Sequence, residues 1–442
     1  VLSKLLQSRA GYSDEDILRA GLVSTDMSAY GGHDNILSMK RIQELSRNSS
    51  HEDGPFDIVY TGGESVHCAH TSCGVQMLPN HLRQSAQDDK IYTCAYLVPK
   101  SYLLPEGETD SSRNHAVGNS LGGFGSYDPN CKKALNSADY VTFRDLLQKD
   151  GGTPDSAVMV KELFQEDIAS IAEQVVKELF PGSSGNDGSN TNNNNPRYIA
   201  VQHQRRGLGT SEINKLAAIL DTVSKETGCT IVFFAAGTVP GHDSFQSYNS
   251  LSKKMTQPSI VYRAEHVWKV VALISGAEAV MSSSLHVRIM AFIFQKPRVT
   301  WCSESKHRNF IRNWDSKNAS QCSSHEKSWE VLSRYMGNNR TSDIAEMDMR
   351  AYENDVQTYL ESFDKWSTLI NDVKTVDAPT ADLSKNSRTK LKAGLPKDTA
   401  DVKTVHPLTA GLSKNSTEQS KSVTTEDTVE VKTLHTPTAE LS

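Results

Sequence analysis

"EAVMSSSLHVRIMAFIFQKPRVTW", residues 278–301, runs from an apolar stretch through a helical pattern into a second apolar stretch. The first stretch has the character of a buried parallel strand, since it lacks the polar alternation of a half-exposed one. The residues after Leu285 pattern as a helix that is apolar nearly all round, which predicts a helix covered on most sides. Strand, helix and strand in so short a span imply a crossover between parallel strands of one sheet.

The same grammar repeats upstream. "RYIAVQHQ" precedes a helix over "TSEINKLAAILDTVSKETG", then come "TIVFFAAG", "SIVYR" and a helix over "EHVWKVVALISG". Within the first of these helices Ile213, Leu216, Ile219, Leu220 and Val223 fall at helical spacing, and Gly228 is placed to end it. Nearer the start, "DILRAGLV", "DNILSMKRIQELSR", "FDIVYTGG", "IYTCAYLV", "ADYVTFRD" and "DSAVMVKELF" alternate helix-like and strand-like character. Between the two regions lies "FPGSSGNDGSNTNNNNPRY", residues 180–198. Gly, Ser and Asn at this density do not repay the entropy of ordering and predict a flexible linker.

The expectation is therefore an α/β chain with two Rossmann-like domains, at 1–180 and 198–370, joined by a linker at 181–197. Aromatic-bearing helical patterns from about Ser328 to Leu369 should close the second domain. A ligand belongs in the crevice outside the carboxyl ends of the strands. Beyond residue 370 the character changes. "DVKTVDAPTADLSKNS" at Asp372 recurs as "DVKTVHPLTAGLSKNS" at Asp401 and "EVKTLHTPTAELS" at Glu430. These copies are rich in Lys, Thr, Ser and Pro and poor in large apolar groups, so residues 371–442 read as a disordered tandem tail.

Of the 442 residues, 37% are hydrophobic and 23% charged, which suits a globular protein diluted by polar segments. A formal net charge of -6 argues against general binding to nucleic acid or anionic membranes, so any anion site must be local. No stretch reaches the roughly 18 apolar residues of a membrane span. The chain starts at Val1 rather than Met, which leaves room for an upstream signal peptide, transit peptide or anchor. Seven scattered cysteines suggest neither a disulfide framework nor a zinc pattern; Cys68 and Cys73 bracket His70 but lack a second ligand pair. Sequons at Asn48, Asn318, Asn339 and Asn415 are no more than chance supplies in so Asn-, Ser- and Thr-rich a chain, and do not decide the compartment.

The strand-to-helix junction carries the most chemistry. Ser282, Ser283 and Ser284 can cap the helix and leave backbone N–H groups facing the crevice. His286 falls in the first turn, where the helix dipole disfavours an imidazolium unless a bound anion offsets it. A histidine so placed suits general acid or base work, although it also shares a face with Ile289, Met290 and Ile293 and could be a hydrogen-bonded core residue. Arg288, in so apolar a helix, is expected to form a structural ion pair. Arg205 and Arg206 follow a strand end and suit bidentate capture of phosphate or carboxylate, or else form a solvated turn. "AYGGHDN", residues 29–35, offers Gly32, His33 and Asp34 after a glycine pair that permits close backbone approach. His242 and Asp243 occupy another carboxyl-end loop, where they contact substrate or cap a turn. Glu265 opens a helix and could bind a ligand hydroxyl or simply complement the helix dipole. Asp145 is expected to cap the next helix or pair with Arg144. None of the glycine turns is a nucleotide-binding fingerprint.

Taken in order, "GGHDN", "DIVYTGGES", "ADYVTFRD" with "TPDSAVMV", "YIAVQ", "IVFFAAG" with the following His-Asp, and "GAEAVMSSSLHVRIMAFIFQKPRV" resemble the polysaccharide pyruvyltransferase family, from about Tyr30 to Trp314. The resemblance implies two Rossmann-like domains facing a central cleft, similar to glycosyltransferase type B. It also implies transfer of the enolpyruvyl unit of phosphoenolpyruvate onto two sugar hydroxyls of a glycan, giving a pyruvate ketal and phosphate. His286 takes the place of the family's catalytic histidine; Ser284 stands where some members carry arginine, and Val287 where glycine is frequent. Arg205 and Arg206 would then hold the donor's anionic groups, with no metal or further cofactor required. A secretory-pathway (Golgi) or cell-envelope location follows from the family's substrates alone. A nucleotide-sugar glycosyltransferase of the same fold, using Glu265 for sugar hydroxyls, and a non-catalytic glycan-binding descendant are the competing readings.

Overall fold

The computed structural model describes residues 1–14, 17, 19–21, 28–34, 36–38, 57–61, 113–119, 140–144, 146–150, 152–181, 196–204, 208–237, 243–302, 305–316, 322–336 and 342–371. Most of the expected linker and all but the first residue of the expected tail lie outside these, as do Cys68, Cys73, Asp145 and the four sequon asparagines.

The chain opens with helix α1 (Leu2–Ala10) and a short parallel pair, β1 (Ala20–Gly21) and β2 (Leu37–Ser38). A three-stranded parallel sheet follows, made of β3 (Asp57–Thr61), β4 (Arg113–Asn119) and β5 (Tyr140–Phe143) in that order. After β5 a tight loop leads through a 3-10 turn at Ser156–Met159 into α2 (Val160–Leu179). Then come β6 (Tyr198–Gln202), α3 (Thr210–Thr227), β7 (Thr230–Phe234), α4 (Phe245–Lys254), β8 (Ser259–Tyr262), α5 (Val267–Gly276), β9 (Ala279–Ser282), α6 (Leu285–Ile293) and β10 (Arg298–Thr300). Helices α7 (Ser305–Asn313), α8 (Ser328–Met336) and α9 (Ser342–Asn371) complete the described chain.

Strands β6 to β10 form one parallel sheet in the order β10-β9-β6-β7-β8. The chain runs outward from β6 through β7 to β8, then returns to β9 beside β6. The order therefore reverses between β6 and β9, the position at which open α/β sheets form their ligand crevice. The α/β expectation with parallel sheets is met. Every residue of β6 is buried, because helices cover both faces. Tyr198 and Ala200 point into one core with Val232, Phe234 and Val280, while Ile199 and Val201 point into the other with Ile231, Phe233 and Met281. This period-2 division assigns α2, α5, α6 and α9 to the first face and α3, α4 and α8 to the second. In α3, Leu216, Leu220 and Val223 are fully buried, and Gly228 ends the helix at φ 67°.

Helix α6 is fixed more firmly than apolar packing alone would achieve. Arg288 is wholly buried, yet its Nε and Nη2 reach Asp315 Oδ2 at 2.7 and 2.6 Å and its Nη1 donates to Thr300 Oγ1 at 2.8 Å. Arg298 of β10 also pairs with Asp315, and with Asp348. This is the structural ion pair expected for Arg288, enlarged into a buried network. The helix stops where Gln295 adopts φ 55° and the Lys296 N–H bonds back to the Ala291 carbonyl at 2.8 Å. Pro297 follows and cannot continue it.

Candidate functional site

In a parallel sheet the helices start where the strands end, so the amino ends of α3, α4, α5 and α6 all open at one rim. At the reversal point the rim is tied together by side chains. The Ser283 amide donates to the Gln202 carbonyl at 3.2 Å and to its Oε1 at 3.1 Å, while Ser283 Oγ accepts from the Gln204 amide at 2.7 Å. Gln202 Nε2 donates to Asp243 Oδ1 at 2.7 Å. Asp243 Oδ2 in turn accepts from the Ala236 and Gly237 amides at 2.6 and 3.2 Å. Asp243 thus caps its turn, the second of its two expected roles. Ser283 has both its amide and its hydroxyl engaged within the fold. Ser284 occupies the N-cap of α6 without a side-chain cap bond, and Ser282 Oγ donates to the Ser284 carbonyl at 3.3 Å. The first turn of α6 therefore has no capping side chain.

His286 sits in that turn. It is the exposed residue of an otherwise buried helix, its side chain 62% accessible. The alternative of a buried core histidine is excluded. Val287, in contrast, is buried, so it contributes to the core rather than to the rim.

Behind His286 lies a residue that the sequence reading did not single out. Asp155 Oδ2 is 3.7 Å from His286 Nε2, an ion-pair distance longer than a hydrogen bond. The Asp155 side chain is only 6% accessible, and the same oxygen is paired with Arg144 Nη1. Its Oδ1 accepts from the Ala157 amide at 3.0 Å, capping the 3-10 turn. Burial opposes the charge on Asp155, but His286, Arg144 and the Ala157 amide outweigh it and hold the carboxyl well below the usual carboxylate range. Arg144 is itself anchored, its carbonyl accepting from Trp314 Nε1 at 2.5 Å. A β-carbon on Gly152 would lie 2.1 Å from the Leu146 carbonyl oxygen, so only glycine lets the chain fold back between Arg144 and Asp155. The sequence signal was present in "FRD" and "TPDS", but nothing in either segment points to His286.

The glycine turn near the start meets the amino end of α5. Gly31 has φ 85°, and a β-carbon there would lie 2.6 Å from Val267 Cγ1 and 2.8 Å from His266 Cε1. Gly32, His33 and Asp34 are exposed beside it. Partial desolvation and Arg19 press the His33 imidazole below its usual value, against the pull of Asp14 and Asp34. Glu265 is exposed at the same helix end, where His266 Nδ1 accepts from the Trp268 amide at 3.3 Å as the cap. Arg205, Arg206 and His242 lie outside the described residues.

On the opposite face of the sheet, His203 and His325 approach Nε2 to Nε2 at 2.9 Å, with Trp301 against both rings. Next to them Cys302 and Cys322 form a disulfide. The scattered cysteine spacing, which suggested no disulfide framework, gave no sign of this bridge. The parallel bridge between Thr300 and Cys322, with the Ser323 amide bonded to the Thr300 carbonyl at 3.0 Å, lays the two segments side by side. Cys229 remains a free, buried thiol. Among the described residues no cluster of three or more His, Cys, Asp or Glu is placed to hold a metal. No described helix is long and apolar enough to cross a membrane.

The family comparison defines the class of protein as a transferase. The chain belongs to the polysaccharide pyruvyl transferase family, whose model matches residues 26–304. No curated protein sequence matches it. Solved structures similar to it include a putative UDP-N-acetylglucosamine 2-epimerase from Listeria monocytogenes, at 10% identity and TM-score 0.46, covering 81% of this chain and 87% of that one. The MnaA–UDP structure from S. aureus, at 11% identity and TM-score 0.44, covers 83% of this chain and 100% of that one.

Proposed function

We propose that this protein transfers the enolpyruvyl unit of phosphoenolpyruvate to two hydroxyls of a glycan, with His286 moving the protons. The observation that carries the reading is the exposed imidazole in the uncapped first turn of α6, at the carboxyl rim beside the strand-order reversal. The family supplies the donor and the acceptor class.

The chemistry asks for one proton donated and two removed. Protonation of the methylene carbon of phosphoenolpyruvate makes the neighbouring carbon electrophilic, and a sugar hydroxyl adds there and loses its proton. The carbon–phosphate oxygen bond breaks, and a second hydroxyl closes the ketal. The two hydroxyl protons end on the new methyl group and on phosphate, so the reaction balances without redox change. His286 gives the first proton and recovers one from the attacking hydroxyl. Arg205 and Arg206, which follow Gln204 in the chain, are the cations proposed to hold phosphate and carboxylate. The amides of the α6 first turn add to that binding. Ser283 supports the rim by holding the Gln204 amide, and Ser284 lines it. Gly32, His33, Asp34 and Glu265, at or beside the amino end of α5, are the acceptor-side groups, together with His242, which precedes Asp243 in the chain. No metal or further cofactor enters this reading. A secretory-pathway (Golgi) or cell-envelope location is supported by the Cys302–Cys322 disulfide, which persists in oxidising compartments.

The test is phosphate release from phosphoenolpyruvate across a panel of galactoside and other glycan acceptors, comparing wild type with His286→Gln. Acceptor-dependent release that falls by about 100-fold or more in the variant is expected. Equal rates would remove His286 from the mechanism, and nucleoside diphosphate release from a nucleotide sugar would replace the donor.

A further inference from the structure

A histidine that both gives and takes a proton must present one ring nitrogen to the substrate and keep the other occupied. In the first turn of α6 only one carboxylate in the described structure stands against that ring, at His286 Nε2. We propose that Asp155 is the positioning residue for His286: it holds Nε2–H inward and thereby assigns proton exchange with the substrate to Nδ1. The proposal rests on the reading of His286 given above.

Three features of the geometry support it. Asp155 is a fixed anion, not a mobile one: Arg144 and the Ala157 amide engage it, and the Gly152 fold-back sets its place. An ionised carboxylate accepts only, so the nitrogen facing it must carry the hydrogen. That leaves Nδ1 as the acceptor in the neutral ring, and as the donor once the ring is protonated. The Asp155 charge also stabilises the imidazolium from which the donor carbon takes its proton. Arg144 Nη1 shares Oδ2 with the imidazole, so the carboxylate cannot swing toward the substrate and remains a positioning group. At 3.7 Å the contact is an ion pair, and catalytic contacts of this kind shorten as a reacting complex forms. The ends of the contact come from distant parts of the chain: Asp155 leads into the 3-10 turn before α2, and His286 opens α6.

A purely structural Asp155 would act through stability alone, so the experiment reads the ring as well as the rate. Two variants are used. Asp155→Asn keeps the shape and removes the charge. Arg144→Met with Asp155→Leu removes the buried pair together, which avoids leaving a buried guanidinium without its partner. For each, kcat and KM for phosphoenolpyruvate are measured, with histidine-selective 15N spectra of the substrate-free protein. The expected result is a kcat lower by about 100-fold with KM within about threefold, since the residue acts on proton transfer and not on donor binding. The wild-type His286 Nε2 proton should be visible at neutral pH and be lost to solvent exchange in the double variant. A folded variant with wild-type kcat, or a wild-type ring carrying its hydrogen on Nδ1, would overturn the proposal. The spectra need no substrate, so they decide the role of Asp155 even if His286→Gln proves fully active and the functional reading falls.

Discussion

His203 and His325 face each other through their Nε2 atoms at 2.9 Å, and only one of those nitrogens carries a hydrogen. His203 Nδ1 lies 2.6 Å from the Gln204 carbonyl and must donate to it, so His203 Nε2 accepts from His325. This fixes the tautomer of His203, with Nδ1 protonated and Nε2 as the acceptor. Burial pushes His203 down to about 4, against the pull of the Gln204 carbonyl and with His325 adding to the shift; burial also lowers His325, although Glu326 and Glu212 oppose it.

Acid should loosen this part of the fold before it touches the carboxylates. Below the ordinary histidine value the unfolded chain takes up a proton that folded His203 refuses, so stability falls as pH drops from about 6.5 toward 4 and is constant above that window. For His203 alone the loss between pH 7 and pH 5 should be about 2 kcal/mol. Urea unfolding of wild type and of His203→Gln/His325→Gln at the two pH values checks this. The double variant should lose distinctly less between them, and an equal loss would assign the effect elsewhere.

The α6 anchor gives a second prediction. Asp315 is completely buried between Arg288 and Arg298, so Asp315→Ala leaves Arg288 in the core without its carboxylate. A destabilisation of about 3–5 kcal/mol is expected, enough to unfold a marginal domain. Arg350→Ala, which breaks an exposed pair with Glu346 one turn away on α9, should cost no more than about 0.5 kcal/mol. Thermal or denaturant unfolding of the two variants should separate them clearly.

Much of this was legible in the sequence, for a physical reason. Strands buried on both faces read as continuous apolar runs, and amphipathic helices read at helical spacing, so the second sheet and its helices emerged from "YIAVQ", "TIVFF", "SIVY" and "AVMS". The need of Arg288 for a partner followed from its apolar surroundings. What pattern does not encode is which distant residue provides the partner. Asp315 for Arg288, Asp155 for His286 and Cys322 for Cys302 all come from loops or turns whose place depends on tertiary packing. The exposure of His286 was likewise undecided by spacing, since a helix covered on most sides leaves open which residue meets solvent.

The disulfide offers a third test. It closes a segment with a sequence separation of 20 and ties the His325 loop to the end of β10. Constraining a loop of that length in the unfolded chain is worth about 3 kcal/mol. Reduction with dithiothreitol, or Cys302→Ser, should lower the unfolding midpoint accordingly. Loss of protection at the Ser323 amide in hydrogen exchange should accompany it, because its bond to the Thr300 carbonyl depends on the same alignment. An unchanged midpoint on reduction would mean that the bridge adds nothing to stability.

Neighbouring serines at the junction should behave differently. Ser283 Oγ is the acceptor for the Gln204 amide at 2.7 Å, so Ser283→Ala leaves a partly buried N–H without a partner. The cost should be about 1–2 kcal/mol. Because Gln204 directly precedes Arg205 in the chain, a Gln204 amide without its partner should disturb the proposed anion-binding arginines, and KM for phosphoenolpyruvate should rise several-fold while kcat is nearly kept. Ser284 makes no cap bond, so Ser284→Ala should leave stability within about 0.5 kcal/mol of wild type. Any kinetic change it causes would then report direct contact with ligand. Steady-state kinetics and unfolding of both variants make the comparison, and the assignment of Ser283 as the support for Arg205 fails if its alanine variant loses stability yet binds phosphoenolpyruvate as tightly as wild type.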